Sequence, residues 1–177
     1  MPDIRLVKIP KPGDEEPKDT SRDAWATPPA VYSELCEKWG FSPNIDACAL
    51  SYNTKCPIFI TPQMNSLEVD WIAFAKEKGV EPIFWMNPPY SHPLVYKFVK
   101  KAYEESERGA TVLGLLLAFN LGVQWFQKYV KPLPKILRGD YDFREKRINF
   151  IPPPGVKASS NMYSSLEVLW LPPGEEG

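Results

Sequence analysis

Ala110 to Ala118 is an unbroken run of small and apolar residues, Ala-Thr-Val-Leu-Gly-Leu-Leu-Leu-Ala. A strand with one wet face alternates between polar and apolar residues, and this one does not. It therefore predicts a strand covered on both faces, at the centre of a parallel sheet. Leu94 to Glu107 supplies one cover, because Leu94, Val95, Phe98, Val99 and Ala102 recur at helical spacing. Further strands are expected at Pro43 to Ala49, Cys56 to Thr61, Glu81 to Met86, Lys135 to Gly139 and Ser164 to Leu171. Helices are expected from Ala30 to Lys38, from Trp71 to Gly79 and from Gly122 to Val130, with Thr27 as N-cap of the first and Gly40 as its stop. Asp140 to Ile151 reads as an antiparallel hairpin region. Strands alternating with helices predict a three-layer α/β sandwich, mostly parallel with an antiparallel C-terminal strand. Ligands in such a fold bind at the carboxyl ends of the strands.

The strand expected at Glu81 to Met86 runs into Asn87-Pro88-Pro89-Tyr90. Neither proline can donate a ladder hydrogen bond, so the chain leaves the sheet as a stiff, extended corner. A polar amide precedes the corner and an aromatic ring closes it. An exocyclic amine on a planar ring is a poor nucleophile, because its lone pair is delocalised into the ring. Asn87 Oδ1 and the Pro88 carbonyl, aimed at the two amine hydrogens, would draw that nitrogen toward a tetrahedral form. Tyr90 would stack on the ring face. The competing reading is a turn with a core aromatic.

The chain has 177 residues, enough for one domain, and an apolar fraction of 44% supports a real core. Residues 1–22 mix charge, proline and glycine and read as a flexible arm. The last residues, 173–177, read as frayed. The net charge of −1 supplies no overall basic field for nucleic acid, so any such contact must come from local patches. Three cysteines without metal spacing and a single histidine argue against a metal site. The odd cysteine count and the lack of a signal peptide fit a reducing cytoplasm, and no apolar run reaches the length of a membrane span.

Several further pieces fall in a recognisable order: Trp25-Ala26-Thr27-Pro28, Ile45-Asp46-Ala47-Cys48-Ala49, Asn53 to Cys56, Asn65-Ser66-Leu67, Asp70-Trp71, Trp125-Phe126 and Arg147-Ile148-Asn149-Phe150. With the Asn87 corner, the chain resembles the phage-type DNA adenine N6-methyltransferases, a Dam-like family of S-adenosylmethionine-dependent amino-methyltransferases. The resemblance implies a Rossmann-like methyltransferase domain over residues 23–172, with Asn87, Pro88, Pro89 and Tyr90 catalytic. It implies S-adenosyl-L-methionine held by Trp25, Thr27, Pro28, Asp46, Ala47, Asn53, Asn65 and Leu67. Thr27 would touch the methionine end, and Asp46 would lie near the amino acid moiety. Asp46 also reads as a strand-end turn residue. Two departures stand out. No Gly-x-Gly follows the first strand, and no carboxylate ends the second to hold a ribose, leaving Asn53 for that role. Asn65 stands where family members commonly carry an acid near the cofactor adenine.

DNA is the expected partner. Ser91 and His92 are candidate DNA contacts, His92 at the base pocket or a phosphate, and Asn120 is a candidate wall of the base pocket. Arg138, Arg144, Lys146 and Arg147 form the densest basic patch and the expected phosphate clamp, although Asp140, Asp142 and Glu145 interleave with it. The cytosine N4 amine would meet the same chemistry at the Asn87 corner, and a non-catalytic nucleic-acid-binding subunit is the alternative from another class. Little chain remains for a separate recognition domain, which leaves room for a homodimer or a helper protein. A phage-encoded protein of this kind would work in the host cytoplasm.

Overall fold

The computed structural model describes residues 25–118, 121–159, 161 and 163–174. The expected arm at 1–22, the pocket candidate Asn120 and residues 175–177 lie outside the described residues. The elements run α1 (Pro29–Trp39), β1 (Ile45–Asp46), β2 (Ile58–Phe59), α2 (Trp71–Lys78), β3 (Ile83–Met86), α3 (Leu94–Glu107), β4 (Thr111–Leu117), α4 (Gln124–Tyr129), β5 (Gly139–Phe143) and β6 (Ser165–Trp170). The described strands form one sheet of six in the order β2-β1-β3-β4-β6-β5. β2, β1, β3 and β4 are mutually parallel, and β6 runs antiparallel to both β4 and β5. β6 is thus the one reversed strand, as the sequence implied.

The sheet is covered on both faces. Trp71, Phe74, Val99, Ala102, Trp125 and Phe126 from α2, α3 and α4 pack with Phe84, Met86, Val112, Leu116, Leu166 and Val168. Leu35 of α1, with Ile148 and Cys56, packs with Trp85, Leu113 and Leu115 on the other face. Consecutive residues of β4 therefore feed opposite cores, which is why the run from Ala110 is apolar throughout. β6 is buried at all six positions. Its Glu167 survives there because Lys38 and Trp39 of α1 donate to it at 2.7 and 3.0 Å, and Arg144 donates at 3.1 Å.

Three local expectations are corrected. Lys135 to Gly139 is not a strand. Pro132 and Pro134 hold the chain in successive turns, and β5 begins only at Gly139. Asp140 to Ile151 is not a hairpin, because β5 finds its partner in β6 and the chain beyond Arg144 leaves the sheet. The N-cap of α1 is Pro28, not Thr27, whose hydroxyl is used elsewhere. α3 has Pro93 as N-cap with no side-chain cap bond, and the Ser91 carbonyl accepts from Leu94 N–H at 2.7 Å. Among the described residues, no helix is long and apolar enough to cross a membrane.

Gly114 is required in β4 by close approach. A Cβ there would lie 2.7 Å from Trp170 Cζ3, inside the buried ring that also donates to the Tyr129 carbonyl at 2.9 Å. Gly114→Ala should lower folding stability by about 1–3 kcal/mol through overpacking. Urea denaturation checks this, and an unchanged midpoint would show that the Trp170 seat yields.

Candidate active site

β1 and β3 are neighbours, with Asp46 opposite Trp85, yet β2 lies on the far side of β1 and β4 on the far side of β3. The chain order therefore changes direction between β1 and β3. At such a switch point the loops diverge and leave a crevice at the carboxyl edge. Asp46 and Asn87 both stand at that edge.

The register explains why the chain turns where it does. The Thr111 N–H donates to the Pro82 carbonyl at 2.9 Å, and the parallel ladder then proceeds in steps of two to the Met86–Gly114 pair. The next donor in the series would be the N–H of residue 88, aimed at the Leu115 carbonyl. Pro88 has no N–H, so the ladder stops. The Tyr90 hydroxyl donates to that same carbonyl at 2.6 Å, tying the corner back onto the sheet. Tyr90 is half-buried against the core as a result, and Pro88 is buried.

Asn87 is held from the other side. Its Nδ2 donates to Thr27 Oγ1 at 3.1 Å, and Thr27 is 1% exposed. Thr27 is fixed in turn because Ala26 and Ile151 exchange two backbone hydrogen bonds of 2.8 Å. The Asn87 Oδ1 atom is buried and has no partner in the described structure. Leaving a buried acceptor unsatisfied costs roughly 1–3 kcal/mol, and in native proteins such atoms call for an explanation. Here the acceptor belongs to a residue that lines the crevice.

Two contiguous clefts flank Asn87. The larger, of about 310 Å³, is lined by Ala47, Asn53, Asn65, Leu67, Asn87 and Pro89 among others. The smaller is polar and is lined by Trp25, Thr27, Asp46, Asn53 and Asn87 among others. Of the expected cofactor residues only Pro28 lines neither, because its carbonyl caps the first turn of α1. Asn65 adopts a left-handed conformation (φ 56°), and its Oδ1 accepts from Leu67 N–H at 3.3 Å, which shapes the cleft floor. Thr61, Ser66, Leu94 and Phe98 also line the larger cleft and were not singled out as site residues. Leu94 and Phe98 read as core because they lie on the apolar face of α3. Their place in its first turn, directly after the proline corner, was the available signal.

The expected phosphate clamp does not assemble as one patch. Arg144 forms ion pairs with Glu167 at 3.1 Å and Glu34 at 3.2 Å. Arg138 donates to the Leu171 carbonyl at 2.8 Å and to Ser106 Oγ at 3.1 Å. Both charges serve the fold. Lys146 and Arg147 are exposed, as are Ser91 and His92 beside the corner.

A six-stranded sheet with one reversed strand, and an Asn-Pro-Pro-Tyr corner at its switch point, defines the Rossmann-like methyltransferase class of fold. Within it, the chain belongs to the DNA N-6-adenine-methyltransferase (Dam) family, which matches across residues 14–176. It is 34% identical over 120 residues to the DNA N-6-adenine-methyltransferase of Haemophilus phage HP1, covering 68% of this chain and 64% of that protein. It is 35% identical over 127 residues to the DNA N-6-adenine-methyltransferase of Escherichia phage T1, covering 72% of this chain and 49% of that protein. The chain thus matches less than two thirds of the length of either relative.

Asp46 is 2% exposed, and its two carboxylate oxygens accept from Cys48 N–H at 3.1 Å and Lys55 N–H at 2.9 Å. Burial pushes its carboxyl up to about 7, and the two backbone bonds only partly oppose this. The folded state therefore holds the proton longer than the unfolded chain does. Stability contributed at Asp46 should fall as pH rises between the ordinary value of 3.8 and about 7, then level off. Urea titrations of wild type and Asp46→Asn across that range should show their stability difference moving against wild type. A constant difference would refute the shift.

Proposed function

We propose that this chain transfers a methyl group from S-adenosyl-L-methionine to the N6 amine of adenine in DNA, on a base turned out of the duplex. The observation that carries the reading is the buried, unpartnered Asn87 Oδ1 at the switch point, locked by Thr27. Family membership and the names of both phage relatives support it.

The cofactor's fit rests on the chain's own groups. The larger cleft offers an apolar wall at Leu94 and Phe98, with hydroxyls at Thr61 and Ser66. Thr61, just beyond β2, stands where a ribose partner is expected and takes the place of the missing carboxylate. The buried Asp46 carboxylate in the smaller cleft suits an ammonium group. When bound, S-adenosyl-L-methionine supplies a methyl group on a cationic sulfur, so transfer needs no strong acid.

The protein's task is then orientation. Asn87 Oδ1 accepts one hydrogen of the adenine amine, and the Pro88 carbonyl, fixed by its ring and by Pro89, accepts the other. The amine nitrogen is drawn out of conjugation and its lone pair turned toward the methyl group. Tyr90, anchored through its hydroxyl, presents ring surface to the base. Forming the new N–C bond would break the methyl–sulfur bond and release a neutral thioether, and the surplus proton on the amine nitrogen would be acidic enough to pass to water, so no side-chain base is required. His92, exposed beside the corner, serves as a DNA contact in this scheme.

Purified protein should move labelled methyl from the donor to DNA, and digestion to nucleosides should yield N6-methyladenine. Asn87→Ala should lower turnover by about 10²–10³-fold, the range for losing one preorganised partner of a reacting group. Donor affinity by calorimetry should stay close to wild type. Full activity in this variant would end the assignment. Thr27→Val keeps the shape and removes the acceptor for the Asn87 amide, so turnover should fall about tenfold, as for one lost buried hydrogen bond. Thr27→Ser should restore it; equal losses in both would make Thr27 a packing residue only.

A further inference from the structure

A third cavity, of about 200 Å³, opens beside the smaller polar cleft. The two share Ala26 and Asn53, and Asn87 lines only the first. Whatever enters the third cavity does not present its amine to Asn87, so it is not the target base. Its remaining walls are Tyr52 and Ile151 through Pro154. Tyr52 is 44% exposed and Ile151 45% exposed, and the two large side chains line the same cavity. Three successive prolines make a stiff plate whose backbone offers no N–H. Such a surface accepts a flat aromatic ring and gives little to a polar chain.

The plate's position is set by the catalytic machinery. Ile151 exchanges its two backbone bonds with Ala26, next to Thr27, which holds Asn87. The same segment carries exposed Lys146, Arg147 and Lys157 against one exposed carboxylate, Glu145. A base turned out of a duplex loses its stacking, so the facing ring of each neighbour is left without its partner and can be covered by protein. Continuity with the site, an aromatic-and-proline surface and local positive charge converge on one occupant.

We propose that the Tyr52/Ile151–Pro154 shelf holds the nucleobase flanking the target on the same DNA strand. It stacks that base while Lys146 and Arg147 meet the neighbouring phosphates. This deepens the proposed methyl transfer and rests on it for the identity of the strand. The shelf makes this loop a determinant of sequence context. It does so by stacking and shape, because the plate offers few donors to read base edges.

The test reads affinity, so it stands apart from catalysis. The probe is a labelled duplex with one bulged adenine, compared with the same duplex carrying an abasic sugar on the 5′ or the 3′ side of it. For wild type, removing the base on one side should weaken binding about tenfold, the scale of losing one stacked base. Tyr52→Ala and Ile151→Ser should each bind the intact probe more weakly and respond less to the abasic change, with donor affinity unaltered. The Ile151 variant keeps the backbone bonds to Ala26 and guards against a folding artefact at Tyr52. If both variants respond to the abasic sugar as wild type does, the shelf holds no base, and the methyl-transfer reading is untouched. If wild type makes no N6-methyladenine yet shows the abasic penalty, that reading fails and the shelf stands.

Discussion

The carbonyl of Leu115 is the point on which the site depends. Every ladder position before it on the β3 side is answered by a backbone N–H. At this position the sequence offers a proline, and a side-chain hydroxyl two residues later takes the bond instead. That exchange ends β3, throws Asn87 over the carboxyl edge and pins the corner so that it cannot swing. With an N–H at residue 88 the strand would run on beside β4, and the amide would be one more residue in a buried sheet. Without the tyrosine hydroxyl the buried carbonyl would be left unpaired, at a cost of roughly 1–3 kcal/mol.

The second anchor comes from far away in sequence. Thr27 and Asn87 are separated by 60 residues, and Ala26 and Ile151 by 125, yet the two contacts are consecutive links of one brace. The sheet supplies a stiff platform, and the brace crosses its open edge. Buried Asp46 belongs to the same design. Its carboxylate gathers two backbone N–H groups and so holds the loop from Cys48 to Lys55 that carries Asn53 into both clefts.

Much of this was legible in the residues, and the reasons for the rest are specific. The central strand and α3 were plain because their apolar patterns have no other use. The Asn87 corner was plain because two prolines after a strand admit few conformations. β5 was misplaced because Lys135 to Gly139 has strand-like composition, while the turns that occupy it are set by Pro132 and Pro134 upstream. The basic cluster divides in the fold, because charge in sequence says nothing about its partner in space. Arg144 meets Glu34, 110 residues away, and Glu167, on the strand beside it. Thr27 looked like a helix cap, which is what a threonine before two prolines ordinarily is. Its partner could not be inferred until the sheet brought the two chain segments together.

The position of β6 bears on how the protein comes into being. The last of the described strands in sequence lies inside the sheet, between β4 and β5, and carries Trp170 onto Gly114. A chain still emerging from the ribosome, complete to Ile151 but lacking Ser165 to Trp170, has every residue of the crevice and no way to close the sheet behind it. Insertion of β6 between β4 and β5 therefore completes the platform beneath a crevice to which β6 contributes none of the lining residues named above.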